Sequence, residues 1–321
     1  MEAGIRVLEE LSGEEYASGE AISRKLGISR SAVWKHIVKL RERGYDIEAS
    51  PRRGYRLKSR PDKLLPSELA PLLGTRLIGR TIIHREETAS TADLARQLIG
   101  RGAAEGTVVI AERQTAARGR MGRAWRTTPG KAIALSVILY PTFPPAEAPL
   151  LSLGVGLAAA RAVENAAGVR PQLKWPNDVY LNGRKLGGIL VEMAGELDRV
   201  RWTVASIGLN VNNSFAGTEL AGRATSLRAE LGGKVSRRLA AAALISELDR
   251  VYTVLRQDGF SWLPAAFAEY DMLAGRQVEV SVPGSAIRGV AGGIDELGRL
   301  LVKDSGGCQR TLFSGEATLS R

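Results

Sequence analysis

Lys174-Trp175-Pro176-Asn177-Asp178, followed by Arg184-Lys185-Leu186-Gly187-Gly188, is one of two stretches that carry most of the information in this sequence. The other, earlier stretch is Arg118-Gly119-Arg120-Met121-Gly122-Arg123-Ala124-Trp125. The earlier stretch places three arginines and two glycines within six positions. Glycine lets backbone amides approach a ligand closely, and arginine supplies forked donors for phosphate or carboxylate. The later stretch adds lysine, amide and carboxylate groups beside a rigid Trp-Pro step. Together they predict a site that binds two anions at once.

Both stretches lie in a predicted α/β region with a mixed sheet. Short apolar runs predict strands, and longer periodic runs predict covering helices. A helix is also expected to begin at Ser90 or Thr91, one of which caps it, and a helix N-terminus is a ready anion site. The predicted strands are 81–83, 107–111, 133–140, 173–180, 188–193 and 204–211, and the other helices are 149–165 and 239–256.

The arginine–glycine stretch has a second interpretation, because such runs are often disordered or bind RNA. Here it lies between two strong strands and ends at Trp125, which favours an active-site loop that becomes ordered on binding. The sequence contains no phosphate-binding Walker motif and no dinucleotide fingerprint. It also lacks a Ser/His/Asp constellation or a cysteine nucleophile for covalent catalysis.

Composition limits the number of domains, the kinds of partner and the kinds of site that this chain can have. A chain of 321 residues with 44% apolar content has room for two or three domains, and its net charge of +11 suggests an anionic partner. The single cysteine, Cys308, excludes an internal disulfide, and His36 and His84 lack metal-ligand spacing, so no protein metal site is expected. No apolar run is expected to span a bilayer and no signal peptide is visible, which indicates a cytoplasmic protein.

The first sixty residues predict a winged helix-turn-helix. Ser18 and Ser29 precede apolar-periodic segments as N-caps, while Gly27 and Gly44 end the two helices. A hairpin with a basic tip at 51–54 follows. Residues 24–60 hold twelve Lys/Arg against three acidic residues, so DNA is favoured over a merely solvated face or a protein contact. The expected DNA-binding residues are Ser29, Arg30, Ser31, Trp34 and Lys35 on the second helix and Arg52 and Arg53 on the wing, although Trp34 could instead pack against the first helix.

Short strands at 278–282, 287–294, 300–303 and 310–313, separated by turn signals, predict a small C-terminal β-barrel. Whether this barrel is a passive lid or contacts the nucleotide or a partner stays open at this level.

Along nearly its full length the chain resembles the bifunctional biotin–protein ligases that double as biotin operon repressors. The Lys-Trp-Pro-Asn-Asp and Arg-Lys-Leu-Gly-Gly motifs carry the resemblance. It implies an α+β multidomain protein with a winged helix (1–61), a class II synthetase-like biotin/lipoate ligase domain (62–272) and an SH3-like barrel (273–321). Biotin and ATP, with Mg²⁺, would form biotinyl-5′-AMP. A lysine of the biotin carboxyl carrier protein of acetyl-CoA carboxylase would then displace AMP.

The resemblance also assigns roles to residues. Lys185, Arg118 and Arg120 would be catalytic, which agrees with the cations that two mutually repelling anions require. Ser90, Thr91, Ala92, Gln114 and Gly119, with those three cations, would bind biotin. The nucleotide would be bound by Trp125, Lys174, Asn177, Asp178, Gly208 and Asn210. The adenylate-bound form would dimerise, with 188–193 as a sheet edge, and repress the biotin operon.

The chain departs from the family pattern at two positions. Ala117 stands where the loop usually opens with glycine, and Ala92 stands where the family has asparagine, which removes one side-chain partner for biotin. These departures leave open a biotin-sensing repressor without ligase activity. A third candidate is a lipoate ligase fused to a DNA-binding domain, which a pocket with few polar partners for a ureido ring would favour.

Overall fold

A computed structural model describes residues 2–11, 13, 15–196, 199–282 and 285–319. The chain divides into two compact units, Met1–Lys63 and Leu64–Arg321.

The first unit is a helix-turn-helix followed by a hairpin, as predicted. Its elements are α1 (Glu2–Glu10), α2 (Gly19–Leu26), α3 (Arg30–Glu42), β1 (Asp46–Ser50) and β2 (Gly54–Ser59). The hydroxyl oxygens of Ser18 and Ser29 accept hydrogen bonds from backbone amides three residues on, so both predicted N-caps are confirmed. One face of each helix contributes to the small core, whose buried apolar residues include Val7, Leu8, Ile22, Val33, Ile37 and Leu40 from the helices and Leu11 just after α1.

The second unit is built on a seven-stranded mixed sheet. Its strands are β3 (Ile82–Thr88), β4 (Val108–Gln114), β5 (Ala132–Leu139), β6 (Gln172–Lys174), β7 (Asp178–Leu181), β8 (Arg184–Gly195) and β9 (Val200–Asn210). They lie in the order β3-β4-β5-β9-β8-β7-β6, with β3 and β4 parallel and the other neighbours antiparallel.

Helices cover both faces of this sheet. They are α4 (Pro66–Leu69), α5 (Thr91–Ile99), α6 (Ala148–Ala167), α7 (Leu227–Leu231), α8 (Arg237–Asp258) and α9 (Leu263–Ala268). Alternate strand residues point to opposite faces. Leu135 of β5 and Ile207 of β9 therefore join the main core with α6 and α8, whereas Ile138 and Val204 pack with α5 on the other face. The floor of the candidate site lies on the α5 face.

Two sequence predictions about this sheet were wrong. Residues 173–180 form two strands, β6 and β7, which pair antiparallel around a turn at residues 175–177. The first strand continues past residue 83 to Thr88, since its outer half pairs with β4. Segment 188–193 does offer a sheet edge, as predicted: β7 pairs with β8 only from Arg184 to Gly188, so residues 189–193 have a strand partner on the β9 side alone among the described strands.

The expectation that no apolar segment could span a bilayer was also wrong, because one helical stretch is long and apolar enough to do so. The helical stretch Pro145–Ala167 has 23 residues and a window of mean hydropathy 1.3. Within the described residues 72% of that window is buried in the protein, because α6 packs against α8 and the sheet. Such burial is typical of a core helix and is consistent with a soluble protein.

The C-terminal strands form an open five-stranded antiparallel sheet. They are β10 (Gln277–Val282), β11 (Ser285–Ile294), β12 (Leu300–Lys303), β13 (Gln309–Leu312) and β14 (Glu316–Leu319), in the order β13-β12-β11-β10-β14. Among the described strands β13 and β14 remain at opposite edges, so the closed barrel that was predicted is not formed. The indole nitrogen of Trp175 donates to the carbonyl of Gly298 at 2.9 Å, which ties this sheet to the β6–β7 turn.

A buried ionic cluster anchors the start of the second unit. Glu112 accepts from the backbone N–H of Leu64 at 2.7 Å and from Arg237, whose Nη1 lies 2.8 Å from the second carboxylate oxygen. Burial by itself would raise the pKa of Glu112. Hydrogen bonds from His84 and Leu64 and the charge of Arg237 outweigh it and lower the pKa to about 2.

Candidate active site

A cavity of about 440 Å³ opens on the α5 face of the large sheet. Its walls come from the N-terminus of α5, the arginine–glycine loop, the β6–β7 turn, β8, β9 and the C-terminal sheet. All fourteen residues that the sequence analysis assigned to catalysis, biotin or nucleotide line this one cavity: Ser90, Thr91, Ala92, Gln114, Arg118, Gly119, Arg120, Trp125, Lys174, Asn177, Asp178, Lys185, Gly208 and Asn210.

The N-terminus of α5 and the end of β4 form one wall of the cavity. Ser90 is the N-cap, and its hydroxyl accepts from the backbone amides of Ala92 and Asp93. The Gln114 side-chain oxygen accepts from both the backbone amide and the hydroxyl of Thr91, at 2.8 and 3.1 Å. These bonds hold the polar groups of two distant segments in fixed positions, so they form a preorganised wall.

The arginine–glycine loop is folded in this structure. The amide of Gly119 donates to the carbonyl of Arg123 at 2.7 Å, and the amide of Trp125 donates to the carbonyl of Ala117 at 2.9 Å. Arg118 is 63% exposed and lies 3.3 Å from Asp93. Alanine at position 117 is thus compatible with an ordered loop.

Arg120 turns inward from the same loop. Its Nη1 donates to the Asn177 side-chain oxygen at 3.1 Å, and burial lowers the pKa of its guanidinium. A cation held away from water gains more from an anionic ligand than an exposed one does.

Trp125 lies across β8 and β9 where both strands carry glycine. A Cβ on Gly208 would be 2.3 Å from the indole, and one on Gly188 would be 3.3 Å away. Position 208 therefore requires glycine for this ring placement. The indole N–H of Trp125 is buried and has no hydrogen-bond partner among the described residues.

Lys174 at the end of β6 and Lys185 at the start of β8 lie on the other wall, beside the β6–β7 turn. Lys185 Nζ lies 2.6 Å from Asp178 Oδ1, and the Asn177 side-chain amide donates to the carbonyl of Ile189 at 2.7 Å. Burial lowers the pKa of Lys174, whose Nζ lies 3.4 Å from the hydroxyl of Tyr180. Burial, with the nearby acids, raises the pKa of Tyr180 to about 12.

The cavity is electropositive. Among the described residues that line it, seven carry positive charge and three carry negative charge. The acids are all engaged by cations: Asp178 by Lys185, Glu219 by Arg126 at 2.7 Å, and Glu316 by Arg123. The excess charge suits a ligand with more than one anionic group.

Sequence reasoning missed part of this lining. Glu316 of β14 pairs with Arg123, which lies 193 residues earlier in the sequence, and no local sequence pattern predicts this contact. The segment 215–224 also lines the cavity, where the carbonyl of Arg223 accepts from the amide of Lys185. Tyr180 and Ser206 could have been found from alternation, since each shares a strand face with a residue already selected.

In the first unit, the predicted DNA-binding residues lie on two surfaces. Arg30, Ser31 and Lys35 are exposed on α3, and Trp34 is 55% exposed, which argues against packing on the first helix. The Ser29 side chain caps α3 and also contacts the Ser31 hydroxyl at 2.9 Å.

The two wing arginines differ. Arg52, with φ of 68°, is exposed at the tip of the hairpin. Arg53 lies over the ring of Tyr16, with its guanidinium carbon 4.0 Å from the ring centroid. Arg53 is therefore already held by an internal contact, and Arg52 is the freer of the two.

Family models match three parts of this chain. Residues 5–56 match an HTH domain, residues 86–212 match the biotin/lipoate A/B protein ligase family, and residues 274–320 match the biotin protein ligase C-terminal domain. With the cationic cavity, these matches define the class as protein ligases with a DNA-binding module.

Similarity to individual proteins extends over nearly the whole chain. The bifunctional ligase/repressor BirA of Bacillus subtilis is 38% identical over 96% of this chain and 95% of its own length. The Escherichia coli protein of that name is 32% identical over 94% and 92%. A structure of biotin protein ligase from Aquifex aeolicus with biotin and ATP is 26% identical, covers 75% of this chain and 99% of its own, and has a TM-score of 0.65. The chain belongs to the biotin–protein ligase family.

Proposed function

We propose that this protein activates biotin with ATP to biotinyl-5′-AMP and transfers biotin to a lysine of a biotin carboxyl carrier protein. The observation that supports this most strongly is the convergence of the arginine–glycine loop, the Lys174–Asp178 turn and Lys185 on one electropositive cavity. Relatives of nearly equal length are named as bifunctional ligase/repressors, and the Aquifex aeolicus structure contains biotin and ATP.

The chemistry follows from the placement of charge. A carboxylate oxygen of biotin attacks the α-phosphorus of ATP, the α–β phosphoanhydride bond breaks, and pyrophosphate leaves. Arg118, Arg120 and Lys185 lower the repulsion between the two anions at the point of contact. The amine of the acceptor lysine then attacks the carbonyl carbon, AMP departs, and the amine loses a proton.

We propose that Mg²⁺ enters with the nucleotide. The described residues contain no group of three or more His, Cys, Asp or Glu side chains that could hold an ion. The cavity carboxylates Asp178, Glu219 and Glu316 are engaged by cations. This donor set fits an ion bound mainly by phosphates and water, as Mg²⁺ usually is in nucleotide sites.

The ligand roles of individual residues are part of the proposal. Ser90, Thr91, Ala92 and Gln114 would face the ring of biotin. Gly119 and the three cations would surround its carboxylate and the α-phosphate. Trp125, Lys174, Asn177, Asp178, Gly208 and Asn210 would line the nucleotide side.

We propose that the first unit carries the regulatory role. The adenylate-bound protein would form a homodimer in the cytoplasm and bind operator DNA of the biotin operon. Ser29, Arg30, Ser31, Trp34 and Lys35 would lie at the major groove, with Arg52 and Arg53 at the wing. We place the dimer surface at the 188–193 sheet edge, where residues 189–193 of β8 have no strand partner opposite β9 among the described strands. We further propose the domain limits 1–61, 62–272 and 273–321, the last as an open relative of the SH3-like barrel.

A sensor without ligase activity is the second candidate, and only the departures at Ala92 and Ala117 favour it. The lipoate alternative is disfavoured by the polar wall that Ser90, Thr91 and Gln114 form.

The test is transfer of labelled biotin to a purified acceptor domain, with ATP and magnesium present or omitted. Labelling of the acceptor lysine that requires ATP is the expected result, and an acceptor whose target lysine is changed to arginine is the control. Biotin binding without any labelling would instead identify a sensor.

A further inference from the structure

A chain of side-chain hydrogen bonds crosses the floor of the cavity from α5 to β9. The Thr91 hydroxyl lies 3.1 Å from the Gln114 side-chain oxygen, and the Ser136 hydroxyl lies 2.8 Å from that of Thr91. Ser136 and Ser206 are cross-strand partners on β5 and β9, with their hydroxyls 2.8 Å apart. Ser136 is fully buried, whereas Ser206 lines the cavity. The chain therefore ends at Ser206, on the ligand side.

The backbone of Thr91 fixes the direction of every bond in this chain. Its N–H donates to the Gln114 side chain at 2.8 Å, so the accepting atom is the amide oxygen. An amide oxygen cannot donate, and the Thr91 hydroxyl must therefore give its one proton to it. The Ser136 hydroxyl must then donate to Thr91, and the Ser206 hydroxyl must donate to Ser136.

The consequence is that Ser206 has no proton left for a ligand. Its oxygen presents only lone pairs to the cavity, and a chain of aligned hydroxyls strengthens its terminal acceptor. We propose that Ser206 is a specificity-determining residue that accepts a hydrogen bond from a ring N–H of the acid substrate. This inference rests on the proposed function, which supplies biotin as that substrate. The ureido ring of biotin carries two N–H groups, and the dithiolane ring of lipoate carries none.

The position of Ser206 suits the ring end of the ligand. Gly208, the next residue on the same strand face, pairs with Gly188, and a Cβ on Gly188 would lie 3.5 Å from Lys185 Nζ. Ser206 is one step further along β9, about 7 Å away, toward the apolar cluster under α5. A ligand whose carboxylate meets Lys185 therefore extends its ring toward Ser206. Ala92 has no polar side-chain atom to bind the ring, so the Ser206 oxygen becomes a more important acceptor for the ring N–H.

The test measures binding of biotin in the absence of ATP by titration calorimetry. The ligands are biotin and its two lactam analogues, in each of which one ureido N–H is replaced by CH₂. We expect Ser206→Ala to weaken biotin binding about tenfold and to leave the affinity of one lactam isomer unchanged, because that isomer lacks the N–H that Ser206 accepts. Ser206→Thr retains the hydroxyl and is expected to bind biotin within about threefold of the wild type.

Two controls separate this role from a general loss of structure. Ser236→Ala removes the N-cap serine of α8, outside the cavity, and is expected to leave biotin affinity unchanged. The KM for ATP in Ser206→Ala is expected to equal that of the wild type. Equal losses for biotin and both lactams, or no loss for biotin, would overturn the inference. A wild-type protein that binds no biotin would overturn the proposed function, and this inference with it.

Discussion

Glu112 is a single residue on which three parts of the second unit depend. It is 6% exposed, and it accepts hydrogen bonds from Leu64 and Arg237 while lying 3.4 Å from the His84 ring nitrogen. Arg237 is fully buried, and this carboxylate contributes to compensating its charge. Removing one partner of a buried pair leaves an uncompensated charge.

We expect Glu112→Gln to lower the free energy of unfolding at pH 7 by about 3 kcal/mol. The pKa of Glu112 lies near 2, below its ordinary value of 4.5, so its contribution is present above about pH 4.5 and is lost as pH falls toward 2. The difference between wild type and variant should therefore shrink over that window. Urea unfolding at pH 7, 5 and 3 measures it.

The matched control is Glu87→Gln on the neighbouring strand. Glu87 pairs with Arg113 at 2.8 Å, but both side chains are 53% exposed. We expect a change below about 1 kcal/mol, because water screens exposed pairs. A pH-independent difference for the Glu112 variant would contradict the assigned pKa.

At the scale of elements, the arginine–glycine loop is held from two sides. Arg120 contacts Asn177 in the β6–β7 turn, and Arg123 makes two hydrogen bonds to Glu316 at the start of β14. The bond from Arg123 is the main reason that the pKa of Glu316 is lowered. The C-terminal sheet thus contributes directly to the order of the loop.

We expect Glu316→Gln to loosen this loop. The pair is partly exposed and is worth no more than about 1 kcal/mol, which corresponds to an increase of up to about fivefold in the open population. The measurement is the initial rate of tryptic cleavage after Arg118 and Arg120, followed by mass spectrometry.

A matched variant on the same sheet is Glu279→Gln, which removes the exposed pair with Arg288 on β10 and β11. It should leave loop cleavage unchanged. If both variants cleaved at the wild-type rate, the contact with Glu316 would not restrain the loop.

At the scale of the whole molecule, the two activities are assigned to different units. Arg30 begins α3 in the first unit, and Lys185 lies on β8 in the second. Each can therefore be changed without touching the core of the other unit.

We expect Lys185→Ala to reduce adenylate formation at least 100-fold, because a cation at the reacting groups is lost, while the helix-turn-helix stays folded. Arg30→Ala should weaken operator binding about tenfold and leave ligation intact. Pyrophosphate release and fluorescence anisotropy with operator DNA measure the two activities. If both activities fell together in either variant, the assignment of functions to units would be wrong.

The sequence by itself determined the local elements and the residues worth examining. Ser18 and Ser29 mark helix starts because a hydroxyl satisfies amides that have no partner within the helix, and this requires only adjacent residues. The arginine–glycine loop and Lys174–Asp178 were selected because their charged and polar side chains are close together in the sequence. The limits of β6 and β7 were not foreseen, because a turn at residues 175–177 divides what alternation predicts as one strand.

Only the tertiary structure decided which distant residues meet. Strand register left residues 189–193 of β8 without a β7 partner, set Ser136 beside Ser206, and the fold brought Glu316 to Arg123. It also left the C-terminal strands as an open sheet. The physical reason is that periodicity encodes which face of an element is buried, whereas partners across strands depend on register and on chain segments far apart in sequence.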